Sequence, residues 1–240
     1  MDRLSQLQKT LAQAFKNHSN SENTQRLNHL EKIDRRLYGM FLIETFHYTR
    51  HNARNQARVA TRDELLDINY MKFCLKHAME EAGHEYMAFA DLNSMGVEFL
   101  QSELPPPLPE TETLIAYLYR VSDTGNPMAR LGYSYWAESC YGYTDGTKTV
   151  FKELLDLKTH QMTFLEAHAA IDVAHFEEVK FAINRFVKTE ADWKALEEVM
   201  LHSLKLTATM MDRVIGQYLL HLEGQPTRYG ILDRLLKKPA

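Results

Sequence analysis

The sequence predicts an all-α fold. Apolar residues recur at helical spacing along most of the 240 residues, no alternation typical of strands stands out, and glycine is scarce, at 10 residues. The stretch "ELPPPLPE" (103–110) cannot lie inside a helix, because proline lacks an amide donor and clashes with the preceding turn. We expect seven or eight helices in one helical domain over residues 1–240, with residues 1–26 as an N-terminal helix and turn and residues 225–240 as a C-terminal tail.

Polar or proline-containing breaks divide the chain into helical segments. The expected helices cover about 2–17, 27–60, 64–93, 110–122, 127–145, 148–158, 162–187 and 190–222. In "TRDE" (61–64), the Thr61 hydroxyl is expected to cap the third helix, which Gly96 ends. "TDGT" (144–147) is expected to break the chain, and Thr189 to cap the last helix.

Composition excludes several classes of function. The net charge of −4 leaves no basic stripe for phosphate contacts, so nucleic acid is not expected as a partner. No apolar run approaches the ~18–20 residues of a membrane span. Cys74 and Cys140 are too few for a disulfide framework, and the N-terminus has no apolar signal core, which together predict a cytoplasmic protein.

The stretch "FLEAHAAIDVAHFEEVKFAINRF" (164–186) reads as a helix with ionisable groups in its apolar stripe. At about 100° per residue, His168, Asp172 and His175 lie on the face that points to the core. Burying such groups without partners costs several kcal/mol, which is about the free energy lost when one partner of a buried ion pair is removed. A bound metal ion would remove that cost for all three.

Three further helices offer carboxylate or imidazole side chains on inward faces. Glu81-x-x-His84 places two ligands on one face, Glu138 stands among aromatic residues, and Glu44 follows an apolar run. Carboxylates mixed with imidazoles and no thiolate favour iron or manganese over structural zinc. Seven ligands are too many for one ion and suit two in a bundle core. The candidate metal ligands are Glu44, Glu81, His84, Glu138, His168, Asp172 and His175.

Other residues are assigned around these ligands. His77 lies on the same side as Glu81 and is expected to orient a ligand rather than to bind metal. The same orienting role is expected of His47. A role as metal ligand stays open for both histidines. Aromatic side chains one turn from proposed ligands are expected to line a substrate pocket. These are Phe41, Tyr141 and Phe164.

"HAAIDVAH" resembles the H-x3-D-x2-H element of the haem-oxygenase-like diiron oxidases and oxygenases. Glu138 precedes His168 by 30 residues and follows His84 by 54, spacings similar to those of that family. "FLIETFHYTRHNAR" resembles its first core helix, and the resemblance covers roughly 35–190. The order Glu, ExxH, Glu, DxxH also resembles the ferritin-like pattern, although His168 and the proline-rich crossover favour the haem-oxygenase-like family.

The resemblance implies a haem-oxygenase-like seven-helix bundle with a diiron site in its core. The cofactors implied are two Fe(II)/Fe(III) ions, with O2 as co-substrate. The ligands implied for one iron are drawn from Glu44, Glu81, His84 and His175, and those for the other are His168, Asp172 and Glu138. The catalytic work is assigned to the metal ligands alone.

The resemblance also implies an O2-dependent oxidoreductase acting on a small amino-acid-like substrate. The reaction expected is oxidative fragmentation of a tryptophan, halogenated on its ring, to an indole nitrile. The alternatives are N-oxygenation, decarboxylation of a fatty or amino acid, and C–C cleavage. The expected partners are a small-molecule substrate, a second copy of the chain in a homodimer and an external reductant. A haem-binding protein and a metal-free helical interaction or thiaminase-like domain are the other classes considered.

Overall fold

The computed structural model describes residues 2–18, 20–65 and 67–236, without the side chains of 144–147, 150 and 167–173. The described residues form eleven α-helices and no strand, so the all-α prediction is confirmed. The helices are α1 (Arg3–His18), α2 (Glu22–Asn28), α3 (Arg35–Thr49), α4 (Asn52–Ala60), α5 (Ile68–Glu81), α6 (Glu85–Ser94), α7 (Pro109–Asp123), α8 (Leu131–Ser139), α9 (Tyr141–Leu154), α10 (Thr163–Phe186) and α11 (Glu190–Leu222). Short 3-10 helices cover Gln101–Glu103, Pro127–Arg130, Thr159–Gln161 and Gly230–Leu236. Within the described ranges, no helix combines the length and the apolar character that crossing a membrane requires.

The helix count exceeds the prediction because two expected helices are divided. The segment 27–60 divides between α2, α3 and α4. The segment 64–93 becomes α5 and α6, interrupted at Gly83, whose φ of +100° lies in the left-handed region that glycine tolerates best. Glu81 therefore ends α5, and His84 directly precedes α6.

Two of the predicted boundaries are wrong. Thr61 does not cap α5 but stands at the C-terminal end of α4, and the Asp67 carboxylate accepts from the first amides of α5 instead. The break expected at 144–147 lies at Cys140, since α9 begins at Tyr141 and continues through that stretch.

The long C-terminal helices follow the predictions closely. The segments 162–187 and 190–222 appear as α10 and α11. The Thr189 hydroxyl caps α11 by accepting from the amide of Asp192, as the sequence predicts. These two helices provide most of the surface against which α8 packs.

Two apolar clusters form the core of the described residues. The first joins α1, α4, α5, α7, α8, α10 and α11, and the second joins α3, α6, the C-terminal 3-10 helix and part of α11. Within the first, α8 approaches α11 closely at Gly132. A Cβ at this position would overlap the carbonyl oxygen of Leu196 and lie 2.7 Å from the amide nitrogen of Met200. This close approach fixes the position of α8, and with it the side chains that α8 carries.

We expect Gly132→Ala to destabilise the protein, because the new methyl group overlaps backbone atoms that cannot move independently of α11. The cost of such overpacking is about 3 kcal/mol, which exceeds the ~1 kcal/mol gain in helix propensity. The net loss of about 2 kcal/mol should lower the Tm measured by thermal unfolding by about 4–8 °C. Gly142→Ala is the matched control, because a Cβ there meets no atom within 4 Å, and its Tm should be unchanged or slightly higher. Equal Tm values for the two variants would contradict the close approach.

Candidate metal centre

Four ligand-type side chains from three helices gather in the first core. His77 and Glu81 lie one turn apart on α5, Glu138 lies on α8, and His175 lies on α10. One potential ligand atom from each lies within 4.8 Å of every other. All four side chains are buried among apolar neighbours. We call this group the four-residue cluster.

The distances within the cluster suit a metal ion. Glu138 is central, with its carboxylate oxygens 3.3 Å from Nε2 of His77 and 3.5 Å from Nδ1 of His175. Nδ1 of His175 is also 3.8 Å from Oε1 of Glu81. Two ligand atoms on opposite sides of an ion, each at about 2.1 Å, are about 4.2 Å apart. Small side-chain movements would therefore bring all four groups to one ion.

Several nitrogen and oxygen atoms at the cluster lack hydrogen-bond partners among the described residues. They are Nδ1 of His77, Nδ1 of His175 and Oε2 of Glu80, all buried. A buried polar atom without a partner costs about 1–3 kcal/mol. Three such atoms close together therefore require an explanation. A metal ion between the His175 nitrogen and the carboxylates would provide one.

The electrostatics of the cluster favour a divalent cation. Burial alone would raise the pKa of Glu138, yet the imidazoles of His175 and His77 lower it to about 2. Burial also opposes ionisation of Glu81, but contact with His84 leaves its pKa below the usual range. The interaction with Glu138 raises the pKa of His175. Two ionised carboxylates thus draw positive charge into a buried volume, and a divalent ion balances both of them.

Neighbouring side chains contact the cluster without belonging to it. His84 places Nδ1 3.5 Å from Oε1 of Glu81, which keeps it within reach of the site. Glu80 lies 3.7 Å from Nε2 of His175 and pairs with Lys76 at 2.9 Å. A carboxylate behind a ligating imidazole fixes the orientation of the ring, and Glu80 is placed to do so for His175.

Glu44, expected as a ligand, does not join the cluster. Its side chain is buried, but its oxygens accept hydrogen bonds from the Tyr229 hydroxyl at 2.6 Å, the Leu108 amide at 3.0 Å and the Thr111 hydroxyl. The carboxylate thereby joins α3 to the start of α7 and to the C-terminal segment. These donors use its acceptor capacity, and we assign Glu44 a structural role.

His47 and Phe41 also lie away from the cluster. Nε2 of His47 donates to the carbonyl of Pro105 at 2.8 Å, which ties α3 to the proline-rich crossover. Phe41 packs in the second core, with its ring 5.8 Å from that of Tyr38 and 6.3 Å from that of Phe151.

A cavity of about 110 Å³ adjoins the cluster. Its walls include His77, Glu81 and Glu138, and also Tyr141 and Phe164, two of the three residues expected in a substrate pocket. The cavity is also lined by three aromatic residues, and by one charged residue outside the ligand candidates, that the sequence did not single out. These are Tyr48, Tyr133, Trp136 and Arg130.

Helix α10 also carries two predicted ligands, seven and three positions before His175. The side chains of these residues, His168 and Asp172, lie outside the described residues. Their role as ligands therefore stays a prediction from the sequence. The sequence favours an orienting role for His77, but its side chain lies inside the cluster, and its spacing of four residues from Glu81 is the signal that could have identified it as a candidate ligand.

A model of the family described as iron-containing redox enzymes matches residues 40–211. The chain belongs to this family. The matched stretch contains all four members of the cluster. Comparison with curated protein sequences gave no match.

Solved structures confirm the haem-oxygenase-like fold of this iron-containing redox enzyme. A domain of unknown function with this fold from Shewanella denitrificans OS217 is 43% identical, with a TM-score of 0.87, over 93% of this chain and 96% of that chain. A TenA homologue from Pyrococcus furiosus is 13% identical (TM-score 0.67; 89% of this chain, 100% of that chain), and one from Pseudomonas syringae pv. tomato is 16% identical (0.65; 89% and 93%). The latter two share the fold alone. The ferritin-like alternative is therefore wrong.

We expect Glu44→Gln to lower stability and leave iron binding unchanged. The glutamine NH2 would face one of the three donors that now point at the carboxylate, at a cost of about 1–3 kcal/mol. Thermal unfolding and iron content, measured on the same preparations, test this. If the variant loses iron but keeps its Tm, Glu44 is a metal ligand.

We expect His77→Ala to weaken ferrous iron binding by at least ~100-fold, since loss of even an outer contact costs 10–100-fold. Competition with a chelator under anaerobic conditions measures the affinity. His47→Ala is the matched control, because His47 bonds to Pro105 rather than to the cluster. Equal affinities in the two variants would remove His77 from the site.

Proposed function

We infer that this protein is a non-haem diiron, O2-dependent oxidase or oxygenase that acts on a small amino-acid-like substrate. One observation carries the proposal: a buried group of two imidazoles and two carboxylates borders a cavity, in a chain of the iron-containing redox enzyme family. Two histidines with carboxylate ligands are typical of non-haem iron sites that activate O2.

Each residue of the cluster has a role in this proposal. His77, Glu81, Glu138 and His175 would hold iron, which when bound supplies electrons for the reduction of O2. The surrounding apolar side chains shield the cluster from bulk water. Glu80, 3.7 Å from Nε2 of His175, would orient that ring once it binds the metal.

The proposal of a second iron is supported by the sequence. His168 and Asp172 precede His175 by about two turns and one turn in the same helix, and helical spacing gives all three one face. His84 stands beside Glu81 and is a further candidate. Glu138, whose two oxygens face different imidazoles, would offer both of them as metal ligands.

The cavity supports a small substrate. Its volume of about 110 Å³ is below that of an engineered cavity that binds benzene, ~150 Å³, so a larger occupant requires the walls to move. Aromatic walls favour an aromatic or apolar side chain over a long acyl chain. Fragmentation of a tryptophan to an indole nitrile, N-oxygenation, decarboxylation and C–C cleavage are distinguished by product analysis.

The other classes of function account for less of the site. A haem protein needs one axial histidine, and it gives no role to two buried carboxylates. A metal-free interaction or thiaminase-like domain would leave Nδ1 of His175, which has no hydrogen-bond partner among the described residues, without a reason beside two carboxylates.

The deciding experiment is anaerobic reconstitution with ferrous iron, followed by stopped-flow absorbance on mixing with O2, with and without L-tryptophan analogues. We expect about two irons per chain and a transient visible band that a substrate accelerates. A Soret band would indicate haem instead. No iron uptake, with unchanged stability after chelation, would refute the proposal.

We expect His168→Ala and Asp172→Ala each to reduce iron content from about two ions per chain to about one. The cluster of His77, Glu81, Glu138 and His175 would retain the first ion. His202→Ala, at an exposed position of α11, is the control. Full iron content in both α10 variants would indicate a mononuclear site or other ligands.

A further inference from the structure

Arg130 is a buried cation without a carboxylate partner. Its side chain is 2% exposed, and no aspartate or glutamate among the described residues forms an ion pair with it. Burying a charge without a counterion costs several kcal/mol, about as much as breaking a buried ion pair. Burial lowers the pKa of the guanidinium from its ordinary value, which reflects the same cost. The fold retains this charge at the expense of stability.

The contacts of Arg130 are all neutral. Nε donates to Oδ1 of Asn55 at 2.8 Å, Nη1 donates to Oγ of Ser134 at 2.9 Å, and the guanidinium lies 4.3 Å from the centre of the Tyr133 ring. These bonds use two of the five N–H groups of an arginine. The guanidinium is therefore held rigidly, with three donors left over.

Arg130 lines the same cavity as the four-residue cluster. It directly precedes α8, and its contact with Ser134 directs the guanidinium along that helix. Glu138 lies one further turn along, a rise of about 6 Å. Asn52 also lines the wall and, because its Oδ1 accepts from the Tyr133 hydroxyl, keeps its amide hydrogens for a ligand. A fixed cation and an iron ligand thus border one small cavity.

We propose that Arg130 binds the carboxylate of the substrate. A carboxylate matches the planar fork of a guanidinium, accepts the remaining N–H groups and supplies the missing negative charge. The reacting atom of the substrate then lies within about one helical turn of its carboxylate. This distance and the cavity volume define the substrate as a compact carboxylic acid, such as an α-amino acid, rather than an amine without a carboxylate or a long-chain acid.

This inference rests on the proposed function, because it takes the cavity as the substrate site. Arg130→Met keeps most of the side-chain volume and removes the charge. It also leaves Oδ1 of Asn55 and Oγ of Ser134 without this donor, at about 1–3 kcal/mol each, which the removal of a buried charge offsets in part. The variant should therefore lose carboxylate binding while it remains folded.

The test uses the full chain loaded with ferrous iron under nitrogen, where no turnover occurs. Calorimetry compares L-tryptophan and indole-3-propionate with tryptamine, which lacks the carboxylate. We expect the wild type to bind the two acids at least ~30-fold more tightly than the amine, the range measured for truncation of one partner of a buried charge pair. Arg130→Met should abolish this preference.

Arg58→Met is the matched control, since Arg58 pairs with Asp123 at the surface, and it should keep the preference. A wild type without preference for the acids, or an Arg130→Met protein that retains it, overturns the proposal. If Arg130→Met does not fold, Arg130→Lys decides, because lysine keeps the charge without the fork and should bind L-tryptophan ~10-fold more weakly. Equal binding of L-tryptophan by Arg130→Lys and the wild type would also overturn the proposal.

Iron content, measured on the same samples, separates this inference from the proposed function. If the chain takes up no iron but still prefers the acids through Arg130, only the diiron function is refuted. Normal iron uptake and O2 consumption, together with binding that does not depend on Arg130, refute the inference alone.

Discussion

The structure depends on the burial of ionised groups where α5, α8 and α10 meet. Glu138 holds two imidazoles within 3.5 Å and remains charged in an apolar setting, its pKa held at about 2. Such a group is stable only when its partners are fixed, and each partner comes from a different helix. The contact of Gly132 with α11 therefore helps to hold Glu138 in place, and the cap at Thr189 stabilises the helix that Gly132 contacts.

Buried charge is handled in three ways in this molecule. At Glu44, three protein donors bond to the two oxygens of a carboxylate and connect α3 with the start of α7 and the C-terminal segment. At the four-residue cluster, carboxylates and imidazoles satisfy one another only in part, as the unpartnered nitrogen of His175 indicates. At Arg130, neutral groups hold a cation in position. Incomplete pairing distinguishes the last two from the first, and both border the same cavity.

Sequence periodicity predicted much of this arrangement, for physical reasons. Helices α10 and α11 follow a regular apolar stripe, and the hydroxyl of Thr189 caps α11 through a contact only three residues away. Local contacts of this kind can be predicted from sequence. The contacts of Glu44 could not be predicted, because one of its donors is the hydroxyl of Tyr229, 185 residues along the chain. Arg130 escaped notice because an arginine at the start of a helix usually faces water.

The glycine that separates α5 from α6 has a consequence for protein engineering. Glu81 belongs to a helix of the first core and His84 adjoins a helix of the second, so the three-residue spacing between them is not that of a continuous helix. Placing only the glutamate and the histidine on a regular helix would reproduce the sequence motif but not its geometry. The segment to transfer is Glu81 to His84 with Gly83 included, in a scaffold that lets the chain turn there.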